Sequence, residues 1–205
     1  MNRQHGERRD QYGERRDQQA RRRKQRGAVL VEAALIMPVL IMLAMGTIEF
    51  GLGWRDRVGV QTSVRAAARS GATLGSDSQA DYNMLQTLKS GLGTNYSKTV
   101  RVVIYKASAT DGAVPAACLT GSSQTGVCNV YAAADLVKAS TSFGCGVGAV
   151  DTAWCPTSRI SDIASASGLD YVGVYIEFSH SLITGSFGTG SISIKDRVVM
   201  RVEPN

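Results

Sequence analysis

Apolar residues gather in one block, residues 27–50 (GAVLVEAALIMPVLIMLAMGTIEF), broken only by Glu32, Pro38 and Glu49. At about 1.5 Å of rise per residue, residues 33–48 and their flanks give roughly 30 Å of helix, close to the hydrocarbon thickness of a bilayer. Helical spacing continues beyond it. Val60, Val64 and Ala67 or Ala68 recur at threes and fours, with Arg57, Gln61, Arg65 and Arg69 on another face. The pattern predicts one helix from about residue 28 to 72, with Gly71, Gly75 and Ser76 as end signals. Residues 78–92 predict a second helix, capped by Asp77 or Ser78 and ended by Gly91 or Gly93, with Leu85, Leu88 and Leu92 facing inward.

The period then changes to two. Residues 99–107, 170–180 and 190–202 alternate as strands, the last with a bulge at Asp196-Arg197. The second and third, joined by residues 182–188, form an antiparallel pair with the first beside them. Residues 158–167 read as a short helix, on Ile160 and Ile163 with a Gly168 stop, and residues 132–138 as another. About three strands with helices on one face make an α+β domain.

Charge divides the chain differently. Residues 1–26 hold ten of the 23 Arg and Lys and four of the 17 acids, so this segment carries the whole net charge of +6 and the remainder is neutral. A neutral body argues against nucleic-acid binding, which needs clustered cations. The basic segment contains the doubled run Gly-Glu-Arg-Arg-Asp-Gln and almost no apolar side chains, a composition that predicts disorder. Its end, Arg21-Arg22-Arg23-Lys24-Gln25-Arg26, abuts the apolar block. Cations there favour a cytoplasmic N-terminus and an extracytoplasmic C-terminus, and can attract anionic lipid. Trp54 suits the outer interface. The rival readings, a buried core helix or a cleaved secretory signal, fit less well. The first leaves the charge asymmetry unexplained, and the second expects a shorter apolar stretch and a small-residue cleavage site.

Residues 108–157 show little regular pattern, which is improbable for so long a segment without reinforcement. Cys118, Cys128, Cys145 and Cys155 supply it: both local pairs are ten residues apart, and two local disulfides are the simplest of three pairings. A zinc site lacks the usual close-spaced cysteine pairs, so no metal or other cofactor is expected. Nor is an enzyme. The only histidines are His5 and His180, and no phosphate loop, nucleophile elbow or metalloprotease motif occurs. His180 with Glu177 suggests a dyad at most, and an exposed strand-end pair is the simpler reading.

Glu32 makes the strongest physical demand. A carboxylate so early in a membrane helix costs about 2.5–3.5 kcal/mol by insertion scales. Cleavage between Gly27 and Ala28 would create an ammonium about a turn away, able to meet Glu32 of a neighbouring subunit. Arg26-Gly27-Ala28-x-x-x-Glu32, after a basic leader and before an apolar run, resembles the processing site of type IV prepilins. The fuller stretch RGAVLVEAALIMPVLIMLAMGTIEFG with AAARSGA resembles the TadE-like family of minor pilins, or pseudopilins, of the tight-adherence (Flp-type) pilus, as does the closing VVMRVEP.

That resemblance implies a prepilin peptidase cutting at Gly27–Ala28, an assembly role for Glu32, and Pro38, Glu49 and Gly51 as part of the signature helix. It also implies other pilins or pseudopilins and an inner-membrane assembly platform as partners. The expected layout is a cleaved, disordered leader (1–27), a transmembrane helix in the cytoplasmic membrane (28–54), its extension (55–74) and an extracytoplasmic α+β domain (75–205) containing the cysteine loop. The alternative is a single-pass anchor for a binding domain unrelated to pili.

Overall fold

The computed structural model describes residues 4–108, 112–165, 168–182 and 190–204, with side chains from Val29 onward. Two compact units result, Met1–Phe50 and Gly51–Asn205. Helix α1 (Gln4–Leu74) contributes to both. In the first unit it is the sole element among the described residues, and it includes residues 4–26, which were expected to be disordered. Arg, Gln, Glu and Lys are strong helix formers, and a helix already nucleated by the apolar block extends without a second nucleation cost.

In the second unit, residues 51–74 of α1 are followed by α2 (Ala80–Leu92) and by β1 (Thr99–Lys106), β2 (Cys128–Tyr131), β3 (Tyr171–Ser181) and β4 (Ser191–Arg201). The sheet is antiparallel in the order β2-β1-β3-β4, so the domain is α+β, with four strands among the described residues rather than about three. β2 spans only four residues, too short to show alternation. The expected bulge at Asp196-Arg197 is absent: β3 and β4 stay in register from Tyr171↔Arg201 to Ser181↔Ser191. The irregularity falls instead in β1, between Thr99 and Arg101. The connection between β3 and β4 lies mostly outside the described residues.

Both helices cover one face of the sheet. Val60, Val64, Ala67 and Ala68 of α1 and Met84, Leu85 and Leu88 of α2 pack with Val102, Ile104, Val174, Ile176 and Phe178. Gly71 and Gly91 let the helices approach closely, since a Cβ on either would overlap Met84 or Ser63. Each fully buried aliphatic or aromatic side chain here contributes about 1.5–3 kcal/mol of hydrophobic transfer. Helix α1 ends at Gly75, whose left-handed φ of 54° accompanies an N–H bond to the Gly71 carbonyl, and α2 ends at Gly93 with φ 58°. The opposite face of the sheet carries Val103, Tyr105 and Tyr175 beneath the Cys118–Cys128 loop. Gly173 sits directly opposite Tyr105, and the ring occupies the space a side chain would need.

Residues 51–74 are fastened near both ends. His180 Nδ1 lies 2.8 Å from Asp56 Oδ2, and the Glu203 N–H donates to the Ala72 carbonyl at 2.8 Å. The helix expected over 158–167 does not form. Pro156–Ser158 makes one 3-10 turn, after which Ile160 and Asp170 exchange two hydrogen bonds of 3.0 Å across a stretch that turns at Asp162–Ser165. The short helix expected over 132–138 is a 3-10 turn at Ala133–Val137, whose preceding Ala132 N–H donates to Asp135.

Candidate functional site

The processing and assembly residues read from the sequence all lie on α1. Gly27 and Glu32 are exposed, and Pro38 lies inside the helix with no break at that position. Between Val29 and Phe50 the large apolar side chains are exposed rather than packed: Leu30 is 70 % accessible, Leu35 71 % and Met42 68 %. The most apolar window of the helix has a mean hydropathy of 2.4, with none of it buried. A soluble core helix buries such a surface, whereas this one requires lipid or neighbouring helices to cover it. Length and composition therefore make it a single-pass membrane anchor. Glu49, which is buried, precedes the last residue of this unit, Phe50, and Gly51 opens the next.

The globular unit holds a buried polar network that the sequence reading missed. Asp81 of α2 forms an ion pair with Arg159, both side chains fully sealed from solvent. Asp81 Oδ2 also accepts bonds from the Tyr131 hydroxyl at 2.6 Å and Asn129 Nδ2 at 2.8 Å. Asn129 in turn bonds the main chain of Trp154 through both side-chain atoms, and the Arg159 guanidinium stacks 4.4 Å from the Trp154 ring. Burial, followed by the negative charge of Asp81, pushes the Tyr131 hydroxyl well above its usual range.

This network binds α2, β2 and the second cysteine loop together. The cysteines pair as Cys118–Cys128 and Cys145–Cys155, with Cα separations of 6.3 and 5.6 Å, so the thiols are not available as zinc ligands. Asp151 braces the second loop by accepting the N–H groups of Gly144 and Cys145 at 2.8 and 3.0 Å. The Asp81 carboxylate is thus satisfied by other parts of the fold, whereas Arg159 meets it through Nη2 alone and keeps Nε and Nη1 buried without a hydrogen bond; the pair is closed to solutes.

His180 and Glu177 do not form a dyad, and His180 is not exposed. An odd separation along a pleated strand sends their side chains to opposite faces. Glu177 lies with Arg101 and Lys195, at 2.9 and 3.3 Å, on one face, while His180 is buried beside Asp56 on the other. Among the described residues no cluster of metal-ligating side chains occurs.

The model of the family described as TadE-like protein matches residues 27–69. The matched stretch lies wholly within α1 and includes Gly27, Ala28, Glu32, Pro38, Glu49 and Gly51. The closing residues 198–204, expected to resemble the ending of the same family, fall outside it. No curated protein and no solved structure matches the chain.

Proposed function

We propose, from the TadE-like segment at residues 27–69, that the protein is a minor pilin or pseudopilin acting structurally in the assembly of a tight-adherence, type IV-like pilus. The observation that carries this reading is the coincidence of Gly27-Ala28 and Glu32 with a helix whose apolar surface is uncovered from Val29 to Phe50. A prepilin peptidase removes residues 1–27, and the new N-terminal ammonium on one subunit neutralises Glu32 on the next. Each carboxylate is then tolerated in an apolar setting only when a neighbour is present, which favours assembly over the isolated chain. The domain lies outside the cytoplasmic membrane, where its two disulfides persist. Its partners are the peptidase, other pilins or pseudopilins and the membrane assembly platform.

Mass spectrometry of the membrane-resident protein, with and without a co-expressed prepilin peptidase, tests this. Loss of residues 1–27 with the peptidase, blocked by Gly27→Phe, is the expected result. Retention of the arginine-rich segment in the presence of active peptidase would leave the alternative, a plain membrane anchor for a binding domain.

A further inference from the structure

Strand β4 is an outer strand of the sheet, and among the described residues no strand pairs with its free side. Such an edge presents a row of main-chain donors and acceptors, which is a template for another extended chain. The flank of α1 overhangs it. Arg65, Ala66, Arg69 and Thr73 from the helix and Met200 from β4 line an open groove of about 670 Å³. The core is also unsealed here: Ile194, Val198 and Met200 pack against the main cluster yet remain only partly buried. One further strand beside β4 would complete the sheet beneath the helix and cover these side chains.

Charge selects the occupant. Arg65 and Arg69 rim the groove, and Arg197 and Arg201 project, exposed, from the other face of β4 at a spacing of four. Antiparallel pairing of β4 with the same strand of a second copy would bring Arg197 and Arg201 of both copies onto one face, where Glu177 is already engaged by Arg101 and Lys195 and Asp196 points to the other side. Like charges across a strand pair are destabilising, so a second copy of this edge is a poor match. We infer that the β4 edge and the α1 flank receive an extended, acidic segment of another polypeptide. Its alternate side chains are apolar toward Met200 and Ala66 and acidic toward Arg197 and Arg201. This inference does not depend on the pilus reading.

The test uses the full chain in detergent micelles and two end-blocked ten-residue peptides, one alternating Val with Glu and the other Val with Lys. The Val-Glu peptide should bind, with an affinity that falls as salt rises, and should slow amide hydrogen exchange in Ser191–Arg201. The double variant Arg197→Glu, Arg201→Glu should weaken it by about tenfold or more. Because those positions contribute to the strand surface, Arg65→Ala with Arg69→Ala provides a second variant on the helix alone, expected to weaken binding in the same direction. Failure of the Val-Glu peptide to bind, equal binding of both peptides, or protection located outside β4 would overturn the inference.

Discussion

Asp81 and Arg159 face each other inside the domain, 78 residues apart in the chain, with neither side chain reaching solvent. Each removes the other's reason to be excluded from the core. A buried carboxylate left alone pays a large desolvation cost, and so does a buried guanidinium. Arg159→Ala or Asp81→Ala should therefore destabilise the domain by about 3–5 kcal/mol. Replacing both together, as Asp81→Leu with Arg159→Met, should recover much of that loss. Equilibrium denaturation of the four proteins at neutral pH gives the comparison, and a double replacement as damaging as either single one would refute it.

Tyr131 gives the same network a pH limit. Its hydroxyl is raised in the folded state by burial and by Asp81. A raised folded value means the native state holds the proton more tightly, so this contribution is complete below the unfolded tyrosine pKa of about 10 and is lost as pH climbs past it. Ultraviolet titration should show Tyr131 ionising only together with alkaline unfolding. Tyr131→Phe should remove that part of the alkaline dependence, while forfeiting a hydrogen bond to a charged group of about 1.5–3 kcal/mol.

The two disulfides differ in accessibility. Cys118 and Cys128 are fully buried, whereas Cys145 and Cys155 are only partly so. A thiolate must reach a sulfur in line to exchange with it. Under a mild reductant, differential alkylation followed by mass spectrometry should therefore find Cys145 and Cys155 labelled first. By loop-closure entropy, removing either bridge as a paired Cys→Ala change should cost about 2.7 kcal/mol. Equal labelling of all four cysteines from the earliest times would contradict the order.

Glu32 separates cleavage from incorporation. Glu32→Ala leaves Gly27-Ala28 and the basic leader untouched, so N-terminal processing should proceed as in the parent protein. Recovery in the pilus-assembly complex should fall at least several-fold, because the charge that rewards a neighbour is gone. Quantitative immunoblotting of the membrane and assembled fractions measures both steps. Undiminished incorporation would count against the electrostatic account.

The long strands were legible because their alternation persists over eleven residues each in β3 and β4, and the helices because Val60, Val64, Leu85 and Leu88 keep helical spacing. The pairing of cysteines followed from equal separations. What escaped was set by partners distant in sequence. Asp81 stands on the same helical stripe as Leu85, Leu88 and Leu92, and an acid on a buried face is a signal that a cation must come to meet it. Nothing local identified that cation as Arg159, inside a segment whose isoleucines suggested a helix. The isoleucine spacing yielded to two hydrogen bonds between the Ile160 main chain and Asp170, one to its carboxylate and one from its N–H. His180 was misjudged for a similar reason: its neighbour along the strand is Glu177, but the pleat turns it toward Asp56 on a helix 124 residues earlier.

The fastenings of residues 51–74 at Asp56–His180 and Ala72–Glu203 have a mechanical consequence. Tension applied along that helical stretch is shared between β3 and the residues following β4, instead of concentrating on one contact that could open first. Sliding the helix out requires both attachments and the intervening Val60–Ala68 packing to fail together, so the domain is built to bear a pull in shear.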